Sequence, residues 1–351
     1  MPKMDGQQSK LVFLLLGNYS TLPYSECISV LESNKIGFKE IKRLDQVLIL
    51  SAPAQASQVV VRQAGMVRRS CILLAESPSL PHSLFQAVDS VDLNQILRPE
   101  TSFAVRVKGV KDSSKGLNIS ELEREIGGRI KRRNKWTHVD LDNPDVLFYV
   151  LMTDNRALFC LNMCEAEEKG FTQRRPSFRP FFHPSSMHPR LARAMVNLSG
   201  AKFGSRFADP LCGSGGILME AGVIGCHIVG IDIDLRMAKG SKKNLDAFGL
   251  PLTNICVGDA RHMPIMEIDA VATDPPYGRS SSTKGDQTSK LVEEFLREIT
   301  WLLRAGSKVC LATPSSVDID ALVPRELTLT EKYSLRVHRS LTRIMALFVR
   351  K

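Results

Sequence analysis

The sequence has few of the features that mark membrane, zinc-binding or disulfide-stabilised proteins. No apolar run approaches the roughly 20 residues of a membrane-spanning helix. The segment LVFLLLG near the start is too short and too poorly flanked for a signal peptide, and it predicts a buried strand instead. The eight cysteines form no CxxC pair, so no metal site is expected. We therefore expect reduced thiols, a cytoplasmic location and no membrane association.

What the sequence does have is an excess of positive charge. Its 47 Lys and Arg residues outnumber 37 Asp and Glu, which gives a formal net charge of +10. Such an excess favours a polyanionic partner, although it says nothing about the fold. A protein that is merely basic is the alternative.

One short segment, residues 129–135, concentrates this charge beside Trp136, whose ring offers a stacking surface. Its cations are Arg129, Lys131, Arg132, Arg133 and Lys135. Most charge runs are solvated faces, but an aromatic ring next to clustered cations is typical of RNA contact. We predict an RNA-binding role for these five residues.

The hydrophobic pattern divides the chain into two α/β regions joined by a proline-rich linker at 166–190. Before the linker, residues 51–66 predict a helix, and SFAVRVKGV predicts a strand with one exposed face. The segment ISELEREIGGRI predicts a helix with an N-cap at Ser120 and paired glycines near its end. After the linker, strands and helices alternate, and two final strands predict a hairpin. Alternation of this kind indicates a doubly wound parallel sheet, which binds ligands at the carboxyl ends of its strands.

A glycine-rich turn follows the first strand of this sheet. Gly213, Gly215 and Gly216 stand after Asp209, and glycines let a backbone turn sharply and approach a ligand closely. The next strand ends at Asp232, at the spacing of a carboxylate that binds ribose hydroxyls. Asp234 is the competing candidate, but it alternates to the other strand face.

Two more strand ends carry polar groups. Asp259, followed by Ala260, is a candidate for an adenine amine, although a helix cap is the alternative. The most specific signal is Asp274-Pro275-Pro276-Tyr277. Its prolines rigidify the turn and lack N–H groups, so their carbonyls can accept hydrogen bonds. Residues 279–290, which follow, predict either a mobile lid or a solvated loop.

These four motifs, in this order, resemble the Rossmann-type S-adenosylmethionine methyltransferases that methylate amino groups. The segments HPSSM at 183–187 and PRLARAMVNL at 189–198 resemble more specifically the archaeal and eukaryotic tRNA (guanine-10-N2)-methyltransferase family. The resemblance implies a Rossmann-type methyltransferase domain at 191–351 with a C-terminal antiparallel hairpin. Before the 166–190 linker it implies an α+β ferredoxin-like module at 1–52 and a THUMP RNA-binding domain at 53–165.

The resemblance also implies the chemistry of the site. It makes S-adenosylmethionine the cofactor, tRNA the partner and guanine N2 the target, with one or two methyl groups added. The expected catalytic residues are Asp274, Pro275, Pro276 and Tyr277. The expected cofactor-binding residues are His183, Asp209, Gly213, Gly215, Gly216, Asp232, Asp259 and Ala260.

Alternatives stay open at this point. The target could be another tRNA guanine, a guanine in ribosomal RNA, or adenine N6 in DNA. The chain could also be an RNA-binding protein without catalysis. Neither a protein partner nor an oligomeric state is indicated.

Overall fold

A computed structural model describes residues 8–250, 253–264, 267–276, 282–338 and 341–351. Its strands are β1 Gln8–Leu15, β2 Lys39–Leu44, β3 Val47–Pro53, β4 Val67–Pro78, β5 Ser102–Gly109, β6 His138–Val139, β7 Val146–Thr153, β8 Arg156–Glu165, β9 Arg206–Asp209, β10 His227–Asp232, β11 Thr253–Val257, β12 Ile268–Thr273, β13 Leu303–Pro314, β14 Leu327–His338 and β15 Leu341–Arg350. Its α-helices are α1 Leu22–Ser33, α2 Ala56–Gln63, α3 Pro81–Ser90, α4 Ile119–Arg133, α5 Glu168–Gln173, α6 Pro189–Leu198, α7 Gly216–Val223, α8 Leu235–Ala247 and α9 Ser282–Leu302.

The chain forms two compact units. Of the described residues, the first unit comprises 8–18, 35–62 and 67–166, and the second comprises 19–34, 63–66 and those from 167 onward. Helix α1 thus belongs to the second unit, where the Ser29 hydroxyl donates to the backbone oxygen of Asn197 at 2.7 Å. The domain boundaries expected from the sequence stay a prediction.

The first unit is built on an eight-stranded sheet in the order β2-β3-β1-β4-β8-β7-β5-β6. Strand β5 pairs in parallel with β6 and β7, whereas the other pairings are antiparallel. Phe148 lies at the centre of its core, edge-on to Phe103 and stacked on Phe159 with ring centroids 5.3 Å apart. Helices α3 and α4 contribute buried side chains to the same core, so this part of the sheet has a covered face.

Three local predictions for the first unit were wrong. Strand β3 continues to Pro53 because it pairs with β1 through that residue, so the helix is only Ala56–Gln63. Strand β5 lies between β6 and β7, and its first four residues are buried. Helix α4 is capped by Asn118 rather than Ser120. It contains the paired glycines, as the sequence predicts, and continues past Ile130 to Arg133, because the buried Ile126 and Ile130 anchor its last turns.

The second unit is built on a seven-stranded sheet in the order β11-β10-β9-β12-β13-β15-β14. The first five strands in that order run parallel, and β15 is antiparallel to both of its neighbours. The chain moves outward from β9 to β11 and then returns to β12 on the other side of β9. Such a reversal is a topological switch point, where open α/β sheets bind ligands.

The predicted doubly wound sheet and its C-terminal hairpin are confirmed. In the described part of the chain, no helix combines the length and apolar character that crossing a membrane would demand.

Candidate active site

Strands β9, β10 and β12 bring three aspartates to one edge of the sheet. Because these strands are parallel, their carboxyl ends point the same way, and the register aligns Asp209 with Gly230 and Ala208 with Val271. Asp209 and Asp232 end their strands, and Asp274 follows β12 directly. The sequence motifs therefore meet at the switch point.

The glycine-rich turn is fastened to Asp232. The N–H of Gly213 donates to Asp232 Oδ2 at 2.8 Å, and the N–H of Asp234 donates to Oδ1 at 2.9 Å. Gly213 and Gly215 have φ values of 51° and 80°, a left-handed conformation that favours residues without a side chain. The Asp234 carboxylate is engaged elsewhere, since it caps α8 by accepting from the Arg236 N–H at 2.7 Å.

Asp209, at the start of this turn, is buried and hydrogen-bonded to other groups of the protein, including the Leu211 N–H of the turn. It is 1% exposed, and the Thr273 hydroxyl at the end of β12 donates to its Oδ1 at 2.6 Å. Burial raises the pKa of Asp209 to about 7, while the Thr273 hydrogen bond acts in the opposite direction. The side chain therefore links β9 to β12 through Thr273 and binds the turn through the Leu211 N–H.

At the end of β11, Asp259 is paired with Arg261. Three hydrogen bonds of 2.6 to 3.0 Å from the Arg261 side chain hold the pKa of Asp259 down to about 2, so the group is a carboxylate at neutral pH. Ala260 beside it is buried. The N–H of Gly258 donates to the backbone oxygen of Asp232 at 3.1 Å, which places these residues next to the end of β10.

The linker crosses the same turn. Ser186 Oγ lies 2.7 Å from Ser214 Oγ, and the Asn244 side-chain amide donates to the backbone oxygen of Ser214 at 2.9 Å. His183 is bonded to Ser185 Oγ through Nδ1 at 2.7 Å, and its backbone oxygen accepts from Ser186. His183 is therefore linked to the glycine-rich turn through Ser186, which contacts both.

Asp274 has a partner that sequence reasoning missed. Its Oδ2 lies 3.0 Å from Nη2 of Arg343 on β15, and the two side chains are only 16% and 8% exposed. Nothing local in the sequence signals this pair, because it depends on how the C-terminal hairpin adds to the sheet. Pro275 is buried and Pro276 is exposed.

Two predictions near this motif fall wholly or partly outside the described residues. Tyr277 lies outside them, as do residues 279–281 of the predicted lid or loop. From Ser282 onward that segment belongs to helix α9.

The basic segment 129–135 lies at the end of α4, and most of its cations are bound to other groups of the first unit. Arg129 pairs with Asp89 and Glu125, Arg133 donates to two backbone oxygens at the end of α3, and Lys131 donates to backbone oxygens after α4. Arg132 is 65% exposed with one long contact to Glu125 at 3.4 Å, and Lys135 is also exposed. These last two are the most open to a polyanion.

Comparison with known proteins matches both regions of the chain to known domain families. The family model described as an RMKL-like methyltransferase domain matches residues 176–345, and a THUMP domain matches residues 81–162. The tRNA (guanine(10)-N2)-dimethyltransferase of Methanothermobacter thermautotrophicus is 36% identical over 342 residues, covering 97% of this chain and 99% of the relative. The chain belongs to the tRNA (guanine(10)-N2)-dimethyltransferase family.

A second member of this dimethyltransferase family, from Methanocaldococcus jannaschii, is 32% identical and covers 94% of this chain and 97% of its own. Among solved structures, TrmN from Thermus thermophilus matches with a TM-score of 0.58 and 19% identity, over 97% of this chain and all of that chain. The structural match supports the fold alone. The predicted arrangement of a THUMP domain before a methyltransferase domain is confirmed.

Proposed function

We propose that this chain transfers methyl groups from S-adenosylmethionine to the exocyclic N2 of a guanine in tRNA, at position 10. Membership of the dimethyltransferase family across nearly the full length of both chains carries the proposal. The described edge of the sheet supports it, because the glycine-rich turn, Asp232 and Asp274 meet there as an amino methyltransferase requires. A cytoplasmic location follows from tRNA as the substrate.

The residues at the sheet edge fit the cofactor. Gly213 has no side chain that would keep a ligand from the backbone of the turn, and Asp232 offers carboxylate oxygens of the kind that accept from ribose hydroxyls. The other residues assigned to the cofactor site are His183, Asp209, Gly215, Gly216, Asp259 and Ala260. S-adenosylmethionine supplies an electrophilic methyl group when it is bound.

Asp274 and the Pro275 carbonyl have the task of activating the amine. The N2 lone pair of guanine is delocalised into the ring, so the amine is a poor nucleophile. Acceptors on its two N–H groups localise the lone pair, and proton acceptance of this kind contributes about 10²–10⁴ in rate. A paired guanine must leave its stack to reach them. Tyr277 is assigned to stack on the base.

The direct test is incubation of unmodified tRNA with labelled S-adenosylmethionine, followed by nucleoside analysis and mapping. N2-methylguanosine and N2,N2-dimethylguanosine at position 10 are expected. Label at another guanine, in ribosomal RNA or on adenine N6 would reassign the substrate. Tight tRNA binding without any transfer would indicate an RNA-binding protein that lacks catalysis.

Replacing Asp232 by Ala is expected to weaken S-adenosylmethionine binding at least tenfold. Each hydrogen bond to a charged group contributes about 1.5–3 kcal/mol, and the substitution also frees the Gly213 turn. Calorimetric titration of the cofactor measures the effect. The matched control is Asp234→Ala, which removes only a helix cap worth about 1 kcal/mol of stability. If the control lost affinity and Asp232→Ala did not, the assignment would belong to Asp234.

Replacing Arg132 and Lys135 together by Glu is expected to weaken tRNA binding and to flatten its dependence on salt. Binding of a cation to a phosphate releases counterions, so each phosphate that is no longer neutralised lowers the slope of log affinity against log salt by roughly 0.7–0.9. Filter binding at several salt concentrations measures both quantities. The control carries the same change in charge at two other exposed cations of the first unit, Lys39 and Arg124. Equal losses in both variants would mean that only net charge matters.

A further inference from the structure

A groove runs along α8 beside the proposed cofactor site and has no role in the mechanism above. Its volume is about 570 Å³, and it is lined by Phe181, Asp234, Leu235, Arg236, Lys239, Gly240 and Lys243. We call it the α8 groove. It begins at Asp234, two residues beyond Asp232, so it opens next to the edge of the sheet where the proposed reaction takes place.

The wall of the α8 groove is held in place by specific contacts. The Asn244 side chain accepts from the Phe181 N–H at 2.8 Å and donates to the Phe181 oxygen at 2.9 Å. Gly240 allows the ring to lie against the helix, because a Cβ there would come within 2.2 Å of the Phe181 ring. The linker is therefore fixed to α8 in a definite position.

Three cations line one side of this groove. Arg236, Lys239 and Lys243 are exposed, and their spacing places them on one face of the helix. Among the residues that the structure describes, none of the three forms an ion pair, whereas the neighbouring Lys242 is paired with Asp246. The one carboxylate in the lining, that of Asp234, is engaged in capping α8.

The linker segment that walls the groove also carries aromatic rings. Phe178 and Phe182 on the linker are 63% and 57% exposed, although most large apolar side chains are buried. Phe181 lines the groove itself, with the Arg236 guanidinium carbon 6.0 Å from its ring centroid. Cations that follow a backbone, interleaved with rings on which bases can stack, are the general means of holding a single nucleic-acid strand.

We propose that the α8 groove binds the sugar–phosphate backbone of the tRNA strand next to the target guanosine. The inference rests on the proposed function, since it takes tRNA as the substrate. The three cations neutralise phosphates, and the linker phenylalanines stack on bases that separate when the target leaves its helix. The second unit thereby holds the strand locally, in addition to any contact made through the first unit.

The test uses the full chain with Arg236, Lys239 and Lys243 all replaced by Gln. We expect the slope of log tRNA affinity against log salt to fall by about 2, as it should when two or three phosphates are no longer neutralised. The KM for tRNA should rise about tenfold, while kcat at saturating tRNA and the affinity for S-adenosylmethionine stay unchanged. Lys242→Gln, on the same helix, is the control and should behave as wild type.

A second variant separates stacking from charge. Replacing Phe178 and Phe182 by Ala should weaken tRNA binding without changing the salt slope, because the rings carry no charge. An unchanged slope and KM in the triple Gln variant would overturn the proposal. A loss of cofactor affinity in that variant would also overturn it. So would an equal loss of salt-dependent binding when an acidic peptide replaces tRNA as the probe.

The two proposals fail separately. If the wild-type chain transferred no methyl to tRNA but the triple Gln variant still lost salt-dependent tRNA binding, the proposed reaction would be wrong and the α8 groove would stand. If wild type methylated tRNA and the triple Gln variant bound tRNA as wild type does, only the groove assignment would be wrong.

Discussion

Asp274→Ala is expected to abolish methyl transfer while tRNA and S-adenosylmethionine still bind. The carboxylate lies directly after β12, at the edge where the cofactor residues meet. It is proposed to act on the reacting amine and contributes little to the binding of tRNA or of S-adenosylmethionine. The loss of an acceptor that acts only during reaction lowers kcat by about 10²–10⁴ without weakening ground-state binding. Single-turnover rates measure the effect, with calorimetry for the cofactor and filter binding for tRNA.

The matched variant is Asp274→Asn, which keeps an acceptor oxygen but loses the negative charge. An intermediate rate is expected, because one N–H of the amine can still be accepted. A rate within tenfold of wild type in Asp274→Ala would remove Asp274 from the mechanism. Equal, complete losses in both variants would show that the charge, rather than acceptance of a hydrogen bond, is what the reaction needs.

Arg343→Ala is expected to lower kcat about tenfold to a hundredfold with little change in cofactor affinity. The guanidinium holds Asp274 Oδ2 at 3.0 Å, so without it the carboxylate is free to turn away from the amine. A misplacement of about 1 Å in a reacting group costs on the order of 10² in rate. Removing one partner of a buried ion pair also costs about 3–5 kcal/mol of stability, so the melting temperature should fall.

Because stability falls too, the test includes rescue. Arg343→Lys should recover part of the rate, and added guanidinium should raise kcat of Arg343→Ala but not that of wild type. Arg336→Ala on β14 removes an exposed arginine from the same hairpin and should leave kcat unchanged. Wild-type kcat in Arg343→Ala would show that Asp274 needs no such partner.

The sequence predicted the second unit better than the first. After the linker, strand and helix patterns alternate clearly, and β9 to β15 appear in the predicted order. In the first unit, long-range strand pairing prevails over local pattern. The predicted helix begins at residue 51, yet residues 51–53 extend β3 because β1 pairs with them.

The basic segment illustrates a second limit. Composition marks residues 129–135 as a uniform cluster of charge, but it does not tell which cations have partners. Asp89 lies on α3, and the backbone oxygens that bind Arg133 belong to the last turn and C-cap of α3. These partners are distant in sequence, so only packing of α3 against α4 shows that Arg132 and Lys135 are the more open cations.

By itself, the sequence determined the features that depend on neighbouring residues: the glycine-rich turn, the Asp-Pro-Pro segment, and the alternation that makes a parallel sheet with these motifs at one edge. Tertiary structure decided which groups face one another across that edge. Arg343 reaches Asp274 because β15 adds antiparallel beside β13, and Phe181 joins α8 through Asn244. Such pairings are set by the packing of distant segments, and no local spacing in a single sequence records them.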